Sequence, residues 1–229
     1  MAALRPVVLE HWHEFSEPLE GRVHSMYLDI LGLVTTGVGN LIDRADVAAA
    51  LPWYHEATGQ RATKAEVIAA WQALKARQDL AKLHWKYAAR LNDLRLKDAD
   101  IDALVTSKLH GNAEYITRKY FPDFPDWPAD AQLAAMSMAW AVGPGFPDKF
   151  KNWTKFAKLQ DWISAKACCK IREINNPGVV PRNRQNEKCH DNAYTVAKAG
   201  MDRAELHWPA LLLEPVIIEA SPPSVTDKS

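Results

Sequence analysis

The stretch Glu20-Gly-Arg-Val-His-Ser-Met-Tyr27-Leu-Asp29-Ile-Leu-Gly32-Leu-Val-Thr35-Thr-Gly37-Val-Gly39-Asn40-Leu41 is where the chain changes character. β-branched residues alternate here with closely spaced glycines, a pattern that suits short strands and tight turns rather than a helix. It predicts a hairpin or three-stranded sheet between Gly21 and Asp43. Pro18 lies two residues before Glu20 and predicts that any helix leading into the glutamate is broken or shortened.

Working outward, the rest reads as helix. Thr63-Lys-Ala-Glu66 is a capping box, and Val67, Trp71, Leu74 and Ala81 behind it predict an amphipathic helix from about 64 to 90. A second helix is expected from Asp98 to His110, stopped by Gly111. The prolines and aromatics from Tyr120 to Pro128 form a stiff connector. Asp130 to Val142 is apolar nearly all round, which predicts a helix buried on every side and ended by Gly143-Pro-Gly145. Further helices are expected near 148–174 and 183–207. The fold class is therefore α+β, a single domain over 1–220 in two lobes. The β-containing lobe covers about 18–62, and a larger helical lobe covers 63–208 with the N-terminal segment. Residues 221–229 read as a disordered tail.

Composition narrows the function classes. The 229 residues, 48% hydrophobic, suffice for one sizeable core. Twenty-eight basic residues balance 28 acidic ones, so nucleic-acid binding through bulk charge is not indicated. Between Asp148 and Lys188 ten basic residues face four acidic ones, which reads as a solvated helical surface or as a face attracting an anionic polymer. No apolar run reaches the ~18 residues of a membrane span. The N-terminus lacks a signal peptide's apolar run, so action outside the cytoplasm calls for another export route or a lost leader. Cys168, Cys169 and Cys189 leave at least one thiol unbridged, with Cys189 able to pair with either neighbour. No zinc spacing occurs, so neither a metal nor another cofactor is expected. The nine tryptophans suit core packing first and sugar stacking second.

Glu20 and Asp29 set one carboxylate at the start of the small sheet and another on it, with the Thr35 hydroxyl following. Acetal hydrolysis needs two carboxyl groups flanking a cleft, one to protonate the leaving oxygen and one to stabilise positive charge or activate water. Such spacing is also common in surface hairpins, and alone it decides nothing.

The run resembles the signature of the phage T4-type lysozymes, E-x8-D-x5-T embedded in Y-x-D-x-x-G-x-x-T-x-G-x-G. Glu20, Tyr27, Asp29, Gly32, Thr35, Gly37 and Gly39 fill every position. The resemblance implies a lysozyme-like fold and a muramidase that acts on peptidoglycan glycan strands with inversion. Glu20 would be the general acid, Asp29 the ionised stabiliser and Thr35 the holder of the attacking water. It further implies Leu41, Trp140 and Phe146 as sugar contacts, with core packing open for Trp140. Gly37 and Gly39 would support the site, and Arg184, within Asn183-Arg-Gln-Asn-Glu187, would pair with Glu20. Asn40 stands where relatives usually carry histidine, and the segment around Leu80–Val105 is extra. A lytic transglycosylase and an inactive peptidoglycan-binding module are the alternatives. Release through a holin and delivery by a secretion apparatus both fit a leaderless chain. Delivery as a toxin would imply a cognate immunity protein.

Overall fold

The computed structural model describes residues 3–174 and 176–212, so the expected tail lies outside the described residues. The first helix starts at Pro6, whose missing N–H costs nothing at that position, and runs unbroken to Glu20 (α1, Pro6–Glu20). The break expected at Pro18 does not occur. Its ring removes only the bond to the Glu14 carbonyl, and both residues are exposed, so that carbonyl stays open to water. Gly21, at φ +73°, ends the helix by donating its N–H to the Glu17 carbonyl at 2.8 Å.

The glycine-rich stretch forms the expected sheet. β1 (Val23–Leu28), β2 (Val34–Gly37) and β3 (Asn40–Leu41) pair antiparallel in that order. Tyr27 lies opposite Thr35, and Thr35 opposite Leu41, so one row of side chains crosses all three strands. After α2 (Ala45–Ala49), β4 (Tyr54–His55) pairs with a later strand, β5 (Leu94–Arg95). Between them α3 (Lys64–Lys75) opens on the capping box: Thr63 accepts from Glu66 N, and the Glu66 carboxylate accepts from Thr63 N. It stops at Lys75, far short of 90, because Arg77 and Gln78 stand where the stripe from Leu74 would continue. Two 3-10 turns follow, at Gln78–Lys82 and Ala88–Arg90.

The expected stop at Gly111 is also overrun. α4 (Asp98–Lys119) passes through it, because Ile101, Val105, Leu109, Ala113 and Ile116 keep one buried stripe on both sides. α5 (Ala129–Val142) is the expected central helix, buried at every residue from Ala129 to Trp140 and packed chiefly on α1 and α9 (Val179–Ala199). The single helix expected over 148–174 is three: α6 (Phe146–Lys149), α7 (Lys151–Lys158) and α8 (Trp162–Ala167). Gln160, at φ +52°, turns the chain between the last two, and Asp161 caps the second by accepting from Ser164 N. Helix α9 begins four residues before the expected start and ends at left-handed Gly200. All three cysteines carry free thiols. The molecule is α+β, a small antiparallel sheet beside a larger helical part, consistent with the lysozyme-like fold that the resemblance implies.

Candidate active site

The end of α1, the sheet and the end of α5 meet at an open cleft of about 440 Å³. Glu20, Asp29 and Thr35 all line it, as do Tyr27 and Leu41 from the row that crosses the sheet. The first two supply the three candidate catalytic residues: Glu20 ends α1, while Asp29 follows β1 and Thr35 lies on β2 of the sheet.

Local hydrogen bonds fix each group. Asp29 Oδ1 accepts the N–H groups of Leu31 at 2.8 Å and Leu33 at 2.9 Å. The surrounding turn closes through Gly32 N to Asp29 O at 2.9 Å, with Gly32 at φ +74°. A carboxylate is acceptor-only when ionised, so two backbone donors on one oxygen set its orientation. Thr35 is 5% exposed and donates its hydroxyl to Leu33 O at 3.2 Å, which leaves the oxygen able to accept. Glu20 Oε1 accepts from the Arg182 guanidinium, which is buried and itself anchored on Ser137 O at 3.2 Å and Ser137 Oγ at 3.1 Å.

Gly39 is where the hairpin comes closest to the acid. A Cβ there would stand 3.0 Å from Glu20 Oε2 and 3.4 Å from Trp140 Nε1, and φ is +68°. A side chain would therefore strain the backbone and press on the Glu20 carboxyl. Trp140 donates Nε1–H to Val38 O at 3.0 Å, and Lys108 Nζ donates to Gly39 O at 3.1 Å. The Lys108 ammonium also lies 3.8 Å from the Trp140 ring centroid. Burial pushes Lys108 down to about 8, while the Glu20 charge works against that fall. The Tyr27 phenol is pushed up to about 12, first by burial and then by the charges of Glu20 and Asp29.

Leu41 is 59% exposed at the cleft edge, whereas Trp140 is 6% exposed and presents only a margin of its ring. Asn40 serves the turn, its Oδ1 accepting from Val38 N at 3.1 Å. Two expectations are corrected. Arg184 does not pair with Glu20. It lies on the exposed side of α9, two residues (roughly 200° of helix) from Arg182, which makes the pair. Phe146 does not reach the cleft. It is fully buried, with its ring 4.9 Å from Trp153, because Gly143 and Pro144 turn the chain inward first. Lys108 was missed, although a signal existed: it stands seven residues from Ile101 and three from Val105, in line with the apolar stripe of α4.

Among the described residues no three metal-capable side chains gather, and no helix is long and apolar enough to cross a membrane. A larger cavity, about 540 Å³, lies elsewhere, beside β4 and β5. The cleft is the candidate active site because reacting groups converge there, not because of its size. No protein-family model matches the chain, and no curated protein is significantly similar to it.

Proposed function

We propose that the chain is a lysozyme-type glycoside hydrolase, a muramidase that cuts the β-1,4 bond between N-acetylmuramic acid and N-acetylglucosamine in peptidoglycan. One observation carries the reading: Glu20, Asp29 and the Thr35 hydroxyl line a single open cleft. In this mechanism Glu20 gives its proton to the glycosidic oxygen as the C–O bond breaks. Asp29 stays ionised and stabilises positive charge at the anomeric carbon. A water held by Thr35 attacks that carbon and passes its proton to the Asp29 carboxylate, leaving a reducing end; proton exchange with solvent then returns Asp29 to its ionised form and Glu20 to its protonated one. Arg182 is a positioning residue that holds the Glu20 carboxyl, and Leu41 with the edge of Trp140 offers apolar contact to the sugar faces.

The substrate lies outside the cytoplasm, so the reading calls for a route to the wall, of which release through a holin and delivery by a secretion apparatus are two. Delivery as an antibacterial toxin would bring an immunity protein that plugs the cleft. Turbidity loss of isolated sacculi tests the assignment. Wild type is expected to clear them and Glu20→Gln is not. Reducing ends among the products favour hydrolysis, whereas 1,6-anhydro ends would make the chain a lytic transglycosylase. Binding without clearing by wild type would make it a wall-binding module.

A further inference from the structure

The larger cavity lies away from Glu20, Asp29 and Thr35, and part of its wall comes from the segment expected to be extra. Trp85, Ala89, Arg95 and Lys97 come from that segment, and Tyr54 and Glu56 face them from the other side of the β4–β5 pair. Its volume of about 540 Å³ lies within the range of small-ligand sites, roughly 300–1,000 Å³. Most of its charges are already satisfied within the protein. Arg95 pairs with Glu56 at 3.0 Å, His24 with Asp98 at 3.0 Å, and His55 with Asp93 at 3.0 Å. Lys97 lies 3.9 Å over the Tyr54 ring and has no carboxylate partner among the described residues.

What remains for a ligand is distinctive. Trp85 is not among the seven buried tryptophans of the chain. Its indole N–H and the Tyr54 hydroxyl have no hydrogen-bond partner among the described residues, although each lies on the wall of the cavity. Aromatic faces beside single, spaced donors and acceptors match a ligand with apolar C–H faces and many hydroxyls. A phosphorylated ligand would call for several unpaired cations, and Lys97 is the one on this wall without a carboxylate partner.

We propose that this cavity is a second saccharide-binding site, taking a neutral β-linked N-acetylhexosamine segment against Trp85 and Tyr54. The wall itself argues for a saccharide, while the choice of an N-acetylhexosamine rests on the proposed function. With this role, the extra segment holds a second stretch of glycan while the cleft works on the first.

The test is a titration of the full chain carrying Glu20→Gln with chitotetraose, followed in assigned ¹H–¹⁵N spectra. The Trp85 indole N–H and the backbone amides of residues 54–59 and 94–97 are expected to move in one saturable step. Trp85→Ala in the same background should weaken the step at residues 54–59 about five- to tenfold, the loss of one stacking face, and Trp85→Phe should restore part of it. The proposal is overturned if only cleft signals such as the Trp140 indole move. It is equally overturned if a free peptide stem, and not the sugar, shifts Trp85. Failure of wild type to clear sacculi would sink the muramidase reading and leave this result standing, so the two failures are distinguishable.

Discussion

His190 and Lys108 are both bases pushed far down by burial, the imidazole to about 4 and the ammonium to about 8, yet they are held in opposite ways. His190 lies in the helical core with both ring nitrogens occupied. Nε2 accepts from Trp153 Nε1 at 2.9 Å, and Nδ1 donates to Asn186 O at 2.6 Å, so the neutral ring is locked in one tautomer. Lys108 has three donors and gives one to Gly39 O, resting otherwise on the Trp140 face beside the open cleft. In the core this base is satisfied inside the protein. In the cleft the base keeps bonding capacity where a substrate would lie. Changes in the first region should therefore be felt as stability with activity kept, whereas changes in the second should reach activity as well.

The largest expected effect is Glu20→Gln, which removes the acid and should cut sacculus hydrolysis about a thousandfold or more. Thermal unfolding should give a midpoint below wild type, because the buried Arg182 guanidinium loses its charged partner. The core counterpart is Leu133→Ala in α5. Leu133 is fully buried, so the cavity should cost about 3 kcal/mol in urea unfolding, with the specific activity of the folded fraction retained. A loss of activity in the folded fraction would blur the division between the two regions.

Next comes acid. The folded chain holds His190 neutral down to about 4, whereas the unfolded chain takes up that proton near the ordinary 6.5. The stability held above pH 6.5 is thus lost progressively as the pH falls toward 4, about 2 kcal/mol of it by pH 5. Unfolding curves of wild type and His190→Gln at pH 7 and 5 measure the difference, and a flat wild-type profile would contradict the account. Lys108 has the same sign at the other end of the scale. Below about 8 the folded state bears the cost of a buried ammonium, so stability should rise between about 8 and the ordinary 10.5. The rise should be on the order of 1 kcal/mol and absent in Lys108→Met, as read from urea midpoints at pH 7.5 and 9.5. The smallest contrast separates two arginines: Arg182→Ala should lower activity about tenfold through loss of the Glu20 contact, while Arg184→Ala should match wild type in the same assay.

Much of this was legible in residue patterns. The pattern between Gly21 and Asp43 announced a hairpin or a three-stranded sheet, and the apolar run of α5 announced its burial. Gly39, expected to support the site, lies against Glu20. Helix ends were legible where local chemistry made them, as at Thr63 and at Gly143. Gly111 and Pro18 look like breaks in a one-dimensional reading, but a buried stripe carries α4 past one and solvent exposure excuses the other. Arg182 was hidden because choosing between two arginines two residues apart requires the rotational setting of α9, which the packing against α5 fixes. The second cavity was hidden for a similar reason: Tyr54 and Arg95 meet through a strand pair that local patterns do not announce.

The central claim is that two carboxyl groups of one cleft drive attack of water on a glycosidic bond. Digestion of sacculi in ¹⁸O-labelled water, with mass analysis of the released fragments, tests it most directly. The account predicts reducing-end muramic acid carrying a single ¹⁸O with wild type, and almost no fragments with Glu20→Gln or Asp29→Asn. Unlabelled anhydro ends, or equal yields from wild type and both variants, would contradict it.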